Sequence, residues 1–224
     1  MSLLPPDTTV DVRDRAAAVA LLPVGSFEQH GPYLPLATDT LIACTIAAEL
    51  ADAYPVQVLP PVTVSCSHEH AAWPGTVSIS ATTLYAVVRD IATSLRGRRL
   101  VVVNGHGGNY VLANAVQESG GAMALFPGVQ EWTEARVAAR LETSMDSDMH
   151  AGELETSILL HAHPGVVRPG YDSADWIADD RRHLLSRGLD AYTDSGVVGL
   201  PSLASASKGE ALLAALVRSF REYL

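Results

Sequence analysis

Two short stretches of the chain concentrate side chains able to bind a cation or move a proton. The first, PVGSFEQHGPYLPLATDT over residues 23–40, places Glu28 two residues before His30, with Asp39 nine residues further on. Residues two apart in an extended segment project to the same side. Pro32 and Pro35 stiffen the loop that leads to Asp39. The second stretch is Asn104-Gly105-His106-Gly107-Gly108-Asn109. A histidine set between glycines is displayed by a backbone that can approach a ligand closely. Two carboxylates and two imidazoles form a donor set suited to zinc, manganese or iron(II).

Taken singly, each of these residues has a plainer role. Asp39 suits a helix cap, His30 a hydrogen-bonded core position, and Glu28 a solvated surface. The glycines alone make a turn, and their spacing is neither a dinucleotide nor a P-loop fingerprint. What favours a site is the joint placement of both stretches directly after predicted strands. A third cluster is His150-Ala151-Gly152-Glu153-Leu154-Glu155-Thr156-Ser157. If a helix begins near Gly152, Glu153 and Glu155 lie about 200° apart, so only one can face the site. Acids at a helix N-terminus are also favoured by the dipole alone. A fourth stretch, SHEHAAWPGT over residues 67–76, reads as a loop lining the pocket. It gives His70 and Trp73 as substrate-binding candidates, with Gly107, Gly108 and Asn109 opposite. His68 is a further possible ligand, whereas His161 and His163 suggest no chemistry and Trp132 and Trp176 read as packing residues.

The elements that position these residues follow from apolar patterning. Ala16–Val24 and Arg99–Asn104 are short continuous apolar runs that predict buried parallel strands. Val56–Val64, broken by Pro60 and Pro61, and Ala122–Phe126 predict two more. Helical spacing appears over Thr40–Ala53, with Thr38 or Asp39 as its cap. It recurs over Thr82–Leu95, Asn109–Glu118, Glu131–Glu142, Gly152–His161 and Lys208–Leu224. Residues 169–195 predict a surface excursion. Alternating strands and helices imply an α/β fold, one domain over residues 1–224, with a mostly parallel central sheet covered on both faces. In such sheets ligands collect beyond the carboxyl ends of strands. Both chemical stretches begin there.

Composition narrows the partners. The chain has 224 residues, 48% of them hydrophobic and 18% charged, with a net charge of −10. At that length about 70% of the unfolded chain's surface can be buried. The acidic balance excludes nucleic acid and anionic membranes as expected partners, since both need a basic face. No apolar run approaches the roughly 20 residues of a membrane span. The two cysteines, Cys44 and Cys66, read as buried thiols in a reducing compartment. The opening Pro5-Pro6-Asp7 does not read as a signal peptide, and the expected location is the cytoplasm.

The segments PVGSFEQHGPYLPLATDT, SHEHAAWPGTVS, VVVNGHGGN and HAGELETS together resemble the creatininase family. The resemblance implies a three-layer α/β/α fold and a centre of two divalent cations. It makes Asp39 the bridging ligand, Glu28 and His30 ligands to one cation each, and His106 a ligand to one of them. Creatininase itself carries a Glu two residues after that histidine as a ligand to the second metal. Here the position is Gly108, so either another residue, Glu155 being the candidate, takes its place or the second cation is weakly held. The wording is most similar to the peptidase branch of the family, whose substrate loses a C-terminal dipeptide. The implied reaction is hydrolysis of a C–N amide bond by a metal-activated water. His150 is the expected proton shuttle and Glu153 the reserve candidate for that role. Alternative substrates are a small cyclic amide such as creatinine or a formamide on a pyrimidine nucleotide. A phosphate handle for the latter would draw on Arg96–Arg99 or Arg181–Arg187. A metal-binding assembly subunit without turnover is the alternative of another class. The resemblance also implies a homo-oligomer, a hexamer built from dimers.

Overall fold

The computed structural model describes residues 4–224. Its helices are α1 (Thr9–Arg15), α2 (Thr38–Ala53), α3 (Ala81–Ser94), α4 (Val111–Glu118), α5 (Val129–Ala138), α6 (Glu153–Ala162), α7 (Leu184–Arg187) and α8 (Ala206–Ser219). The strands are β1 (Val19–Val24), β2 (Gln57–Val58), β3 (Arg99–Asn104) and β4 (Met123–Phe126). They form one parallel sheet in the order β2-β1-β3-β4. The β3 boundaries match the apolar run RLVVVN residue for residue.

Strand alternation divides the core in two. Val19, Leu21, Val101 and Val103 face one cluster, shared with α2, α5, α6 and α8. Ala20, Leu22, Leu100 and Val102 face the other, shared with α3 and α4. The result is the expected three-layer α/β/α arrangement. β2 is much shorter than the apolar run over residues 56–64 suggests. Pro60 and Pro61 cannot donate to a ladder, and pairing resumes only as an isolated bridge between Val24 and Val62. Ala16, expected in β1, instead ends α1 in a left-handed conformation. Neither Thr38 nor Asp39 caps α2. The cap position is Ala37, without a side-chain hydrogen bond, and Asp39 lies in the first turn. Residues 169–195 carry short helical turns, including α7, and an isolated bridge from Trp176 to Gly199, with Leu189 fully buried.

Register sets the site. Val24 pairs with Asn104, so the two chemical stretches leave adjacent strands at the same level. The amino end of α2 then presses directly on both strand exits. A Cβ added at Gly105 would collide with the Asp39 carbonyl, and one at Gly25 with the Thr40 backbone. Both contacts are with backbone, which cannot swing aside. Gly105→Ala should therefore lower unfolding stability by about 1–3 kcal/mol, the usual range for overpacking. Guanidinium titration checks it, and a wild-type midpoint would contradict this account of the packing.

Candidate metal centre

At the strand ends Glu28, His30, Asp39 and His106 converge, all of them buried. Asp39 is the hub. Its Oδ1 lies 3.0 Å from His30 Nε2, and its Oδ2 lies 3.0 Å from His106 Nδ1. Ser26 donates to the same Oδ2 at 2.7 Å. Burial alone would raise the Asp39 pKa, but the two imidazoles hold it well below the usual carboxylate range. His30 Nδ1 lies 3.1 Å from the Glu28 carbonyl oxygen. With that nitrogen as the donor, Nε2 presents its lone pair to the centre, as ligating histidines commonly do.

Glu28 is held differently. Its side chain is fully buried, and neither carboxylate oxygen has a hydrogen-bond partner. His70 Nε2 and His106 Nε2 approach to 3.1 and 3.2 Å, out of hydrogen-bonding alignment. Burial, reinforced by the Asp39 charge, pushes its pKa up to about 8. A buried carboxylate without donors is costly unless it is paired or coordinates a cation. Glu28, Asp39 and His106 present ligand atoms within 4.8 Å of one another, as do His30, Asp39 and Glu155. The two sets share Asp39, and the donors are mixed nitrogen and oxygen, so the residues fit a pair of divalent cations.

The acids of α6 separate as their spacing requires. Glu155 turns towards the centre, 3.9 Å from His30 Nε2, and accepts from the Ala151 amide at 2.6 Å. Burial pushes its pKa up to about 7. Glu153 points the other way, which corrects the expectation of a catalytic role. Its carboxylate accepts from Lys208 Nζ at 2.5 Å, from the amides of Glu142 and Thr143, and from the Thr143 hydroxyl. It serves the junction with α8 and does not reach the centre.

His150 lies inside the cluster, its ring 4.1 Å from that of His30 and 4.4 Å from that of His70. Its Nε2 lies 2.6 Å from the Gln29 carbonyl, which leaves Nδ1 facing Glu28 Oε1 at 3.8 Å. Burial, helped by the His30 charge, keeps it neutral by drawing its pKa well below the usual value.

Other expected pocket residues divide. His70 stands at the centre beside Glu28, closer in than a lining residue, and burial draws its pKa down to about 3. Trp73 lies behind it, ring centroids 6.5 Å apart. His68 turns to the Ser78 hydroxyl at the surface. Asn109 is spent on the loop itself, accepting from the Cys66 amide and donating to Asn104 Oδ1 and the Gly25 carbonyl. That corrects its placement as a substrate contact. Gly107 borders a cavity of about 350 Å³ that also touches His106 and Glu155. Gly108 borders a second, of about 560 Å³. A cavity of about 590 Å³ beside residues 4–7 is lined by none of the cluster residues. Sequence reasoning passed over Ser26 and Gln29. Gln29 is buried, with Nε2 2.9 Å from His70 Nδ1 and donating to the Gly196 carbonyl. The signal for Gln29 was its place between Glu28 and His30. An extended segment turns its side chain to the opposite side, where it supports the neighbouring imidazoles.

The creatininase profile, described as creatinine amidohydrolase, matches residues 7–224. The chain belongs to the creatininase family. Among its family relatives is the mycofactocin precursor peptide peptidase of Mycolicibacterium smegmatis, 36% identical over 211 residues, covering 89% of this chain and 81% of that protein. A solved structure of creatinine amidohydrolase superposes with a TM-score of 0.83 at 25% identity, covering 99% of this chain and 96% of the other. A manganese creatininase superposes with a TM-score of 0.81 at 22% identity, covering 100% and 99%. No helix among the described residues is long and apolar enough to cross a membrane.

The charges at the centre predict how metal-free protein responds to pH. Burial opposes protonation of His30 and His106, but Asp39 outweighs it and raises them to about 9 and about 10. A raised pKa adds stability that is complete below the unfolded value of about 6.5 and is lost as pH climbs through the folded value. His70 and His150, both depressed, subtract stability below about 6.5 instead. Glu28 and Glu155, raised to about 8 and about 7, subtract stability as pH climbs above about 4.5. Chelator-treated protein should therefore melt highest on the acid side of neutrality, at about pH 5–6, and lower towards pH 10. A melting temperature flat from pH 7 to pH 10 would show that these imidazoles are not charged in the fold.

Proposed function

We propose that the protein is a metal-dependent hydrolase that cleaves a peptide C–N bond, releasing a C-terminal dipeptide from the mycofactocin precursor peptide. The observation that carries the metal reading is Glu28, a fully buried carboxylate with no donor, aimed into a cluster of imidazoles. The 36% identity to a mycofactocin precursor peptide peptidase over most of both chains supports the substrate. On this reading Glu28, Asp39 and His106 hold one divalent cation, zinc, manganese or iron, and His30, Asp39 and Glu155 hold the other. When bound, such cations supply Lewis acidity, making water a competent nucleophile near neutral pH and steadying negative charge on an amide oxygen.

The protein's own groups do the rest. Asp39 fixes the spacing of the two sets, since one oxygen faces each histidine. His150 is the proton carrier: Nε2–H rests on the Gln29 carbonyl, and the free Nδ1 accepts a proton from the nucleophile and returns it to the leaving amine. Its depressed pKa makes the protonated form a strong acid, suited to an amine that leaves poorly. Gln29 keeps the His70 and His150 rings in place. His70 and Trp73, with Gly107 and Gly108 bordering the two cavities, line the approach. The same reading places the enzyme in the cytoplasm as a homo-oligomer assembled from dimers. Exposed Val129 and Val137 on α5, 73% and 74% accessible, support an assembly face there.

Two results test it. His150→Ala should lose about 10²–10⁴ in turnover while keeping its metal, read by quantifying released dipeptide beside elemental analysis. Asp39→Ala should abolish metal loading altogether. Formate released from a formylaminopyrimidine nucleotide, with no dipeptide from the precursor, would replace the peptide substrate by the formamide one.

A further inference from the structure

Two cavities flank the Gly107–Gly108 turn, and they differ in chemistry. The one of about 560 Å³ is edged by His68, Glu69, Arg187 and Asp190, and none of Glu28, His30, Asp39, His106 and Glu155 borders it. The one of about 350 Å³ is bordered by His106 and Glu155 themselves. Much of its remaining wall is apolar, made by Ile42, Leu125, Trp132, Met145, Met149 and Leu154. Trp132 and Arg136 stand four apart on α5, so one face of that helix supplies both. Met145 lies in the segment between α5 and α6 and is 45% exposed, at the rim.

Arg136 and Asp148 share this wall, and both are already engaged. Arg136 Nη1 donates to Asp148 Oδ2 at 2.9 Å, and its Nη2 donates to the Thr143 carbonyl and hydroxyl and to the Ser144 carbonyl. Asp148 also accepts from the Glu153 and Leu154 amides. Apart from His106 and Glu155, no charged group of this cavity is therefore left to receive a phosphate or a carboxylate. Arg99 begins β3, at the opposite end of the strand from His106, and Arg187 borders only the other cavity. A concave apolar wall beside a few convergent polar groups is the usual form of a small-ligand site. Burying a charge there without a partner would be costly.

We infer that this cavity is the specificity subsite of the centre, seating one uncharged apolar or aromatic side chain that flanks the scissile C–N bond, with Trp132 and Met145 as the residues that select it. Trp132 supplies a broad rigid surface, and the flexible thioether of Met145 adapts to the shape of what enters. The inference rests on the hydrolase reading above and adds the side chain that the substrate must present. It also disfavours a nucleotide, whose phosphate finds no cation in this cavity.

The test uses the full-length protein. Metal-loaded enzyme is offered peptides carrying alanine, leucine, phenylalanine, glutamate or lysine at each position flanking the scissile bond, and kcat/KM is compared. At one of these positions leucine and phenylalanine should exceed glutamate and lysine by about 100-fold or more. Trp132→Ala should lower kcat/KM for phenylalanine by about ten-fold or more while alanine changes little. Met145→Lys, a change at an exposed position, should raise glutamate relative to leucine by about ten-fold. A readout without turnover is the tryptophan emission of chelator-treated protein. N-acetyl-phenylalanine amide should shift it, N-acetyl-aspartate amide should not, and Trp132→Phe should abolish the shift. Cleavage that ignores the side chain overturns the subsite, as does emission that responds to neither amide. Met145→Lys that alters oligomeric mass but not preference also overturns it, and makes this wall an interface between copies. A metal-loaded protein that cleaves no peptide, with the emission shift intact, overturns the hydrolase reading and leaves the subsite standing.

Discussion

Glu28 and Asp39 are held out of water at the exits of two paired strands, and placing charge in such surroundings costs several kcal/mol per ion unless something answers it. Asp39 is answered within the protein, by two imidazoles and a serine hydroxyl. Glu28 is not. The surrounding structure follows from this unequal treatment. One carboxylate is satisfied enough to be fixed in place. The other lies 3.2 Å from His106, whose charge eases its burial, but has no well-aligned donor. A cluster satisfied throughout would be rigid and inert, and one unsatisfied throughout would not fold.

The layers on either side of the sheet make this strain tolerable. α2 seats its first turn against the strand exits because Gly25 and Gly105 carry no side chain there, and that seat delivers Asp39. α6 is anchored through Asp148, which accepts from the Glu153 and Leu154 amides while paired with Arg136 of α5 at 2.9 Å. With its amino end fixed in this way, α6 turns only Glu155 towards His30 and Asp39. Lys208, at the start of α8, secures Glu153 on the other face. Precision at the centre comes from several helices pinned by ion pairs and close backbone contacts some distance from it.

Much of this was legible in the sequence because it is local. The run RLVVVN marks its own strand, and a polar Gly-containing loop after a buried parallel strand marks a site by the general behaviour of such sheets. The roughly 200° separation of Glu153 and Glu155 implied that only one could face the strand exits, and in the structure Glu155 turns to His30 while Glu153 turns to Lys208. Spacing gives no phase, however. Which acid faces inward is decided by Lys208, more than fifty residues away, and no pattern around residue 153 encodes it. Asn109 and His70 were exchanged in importance for a similar reason. Both sit in polar loops, and only the tertiary fold shows that Asn109 ties the loop together while His70 meets Glu28. Asp39 could not be told from a helix cap, since a first-turn position and a cap position differ by two residues in sequence and by the entire direction of the carboxylate in space.

The order in which the chain closes the site carries a consequence for its biogenesis. His150 is held by a two-residue bridge to Val198, and the side chain of Gln29 bonds to the carbonyl of Gly196. The earliest supports of the centre therefore wait for contacts made some 170 residues later, and long-range closure of this kind delays formation of the native site. A growing polypeptide would expose Glu28 and His30 long before they have any geometry with which to discriminate among ions. On the proposed metal reading, selection of a cation thus belongs to the finished molecule, and an incomplete chain has no means of exercising it.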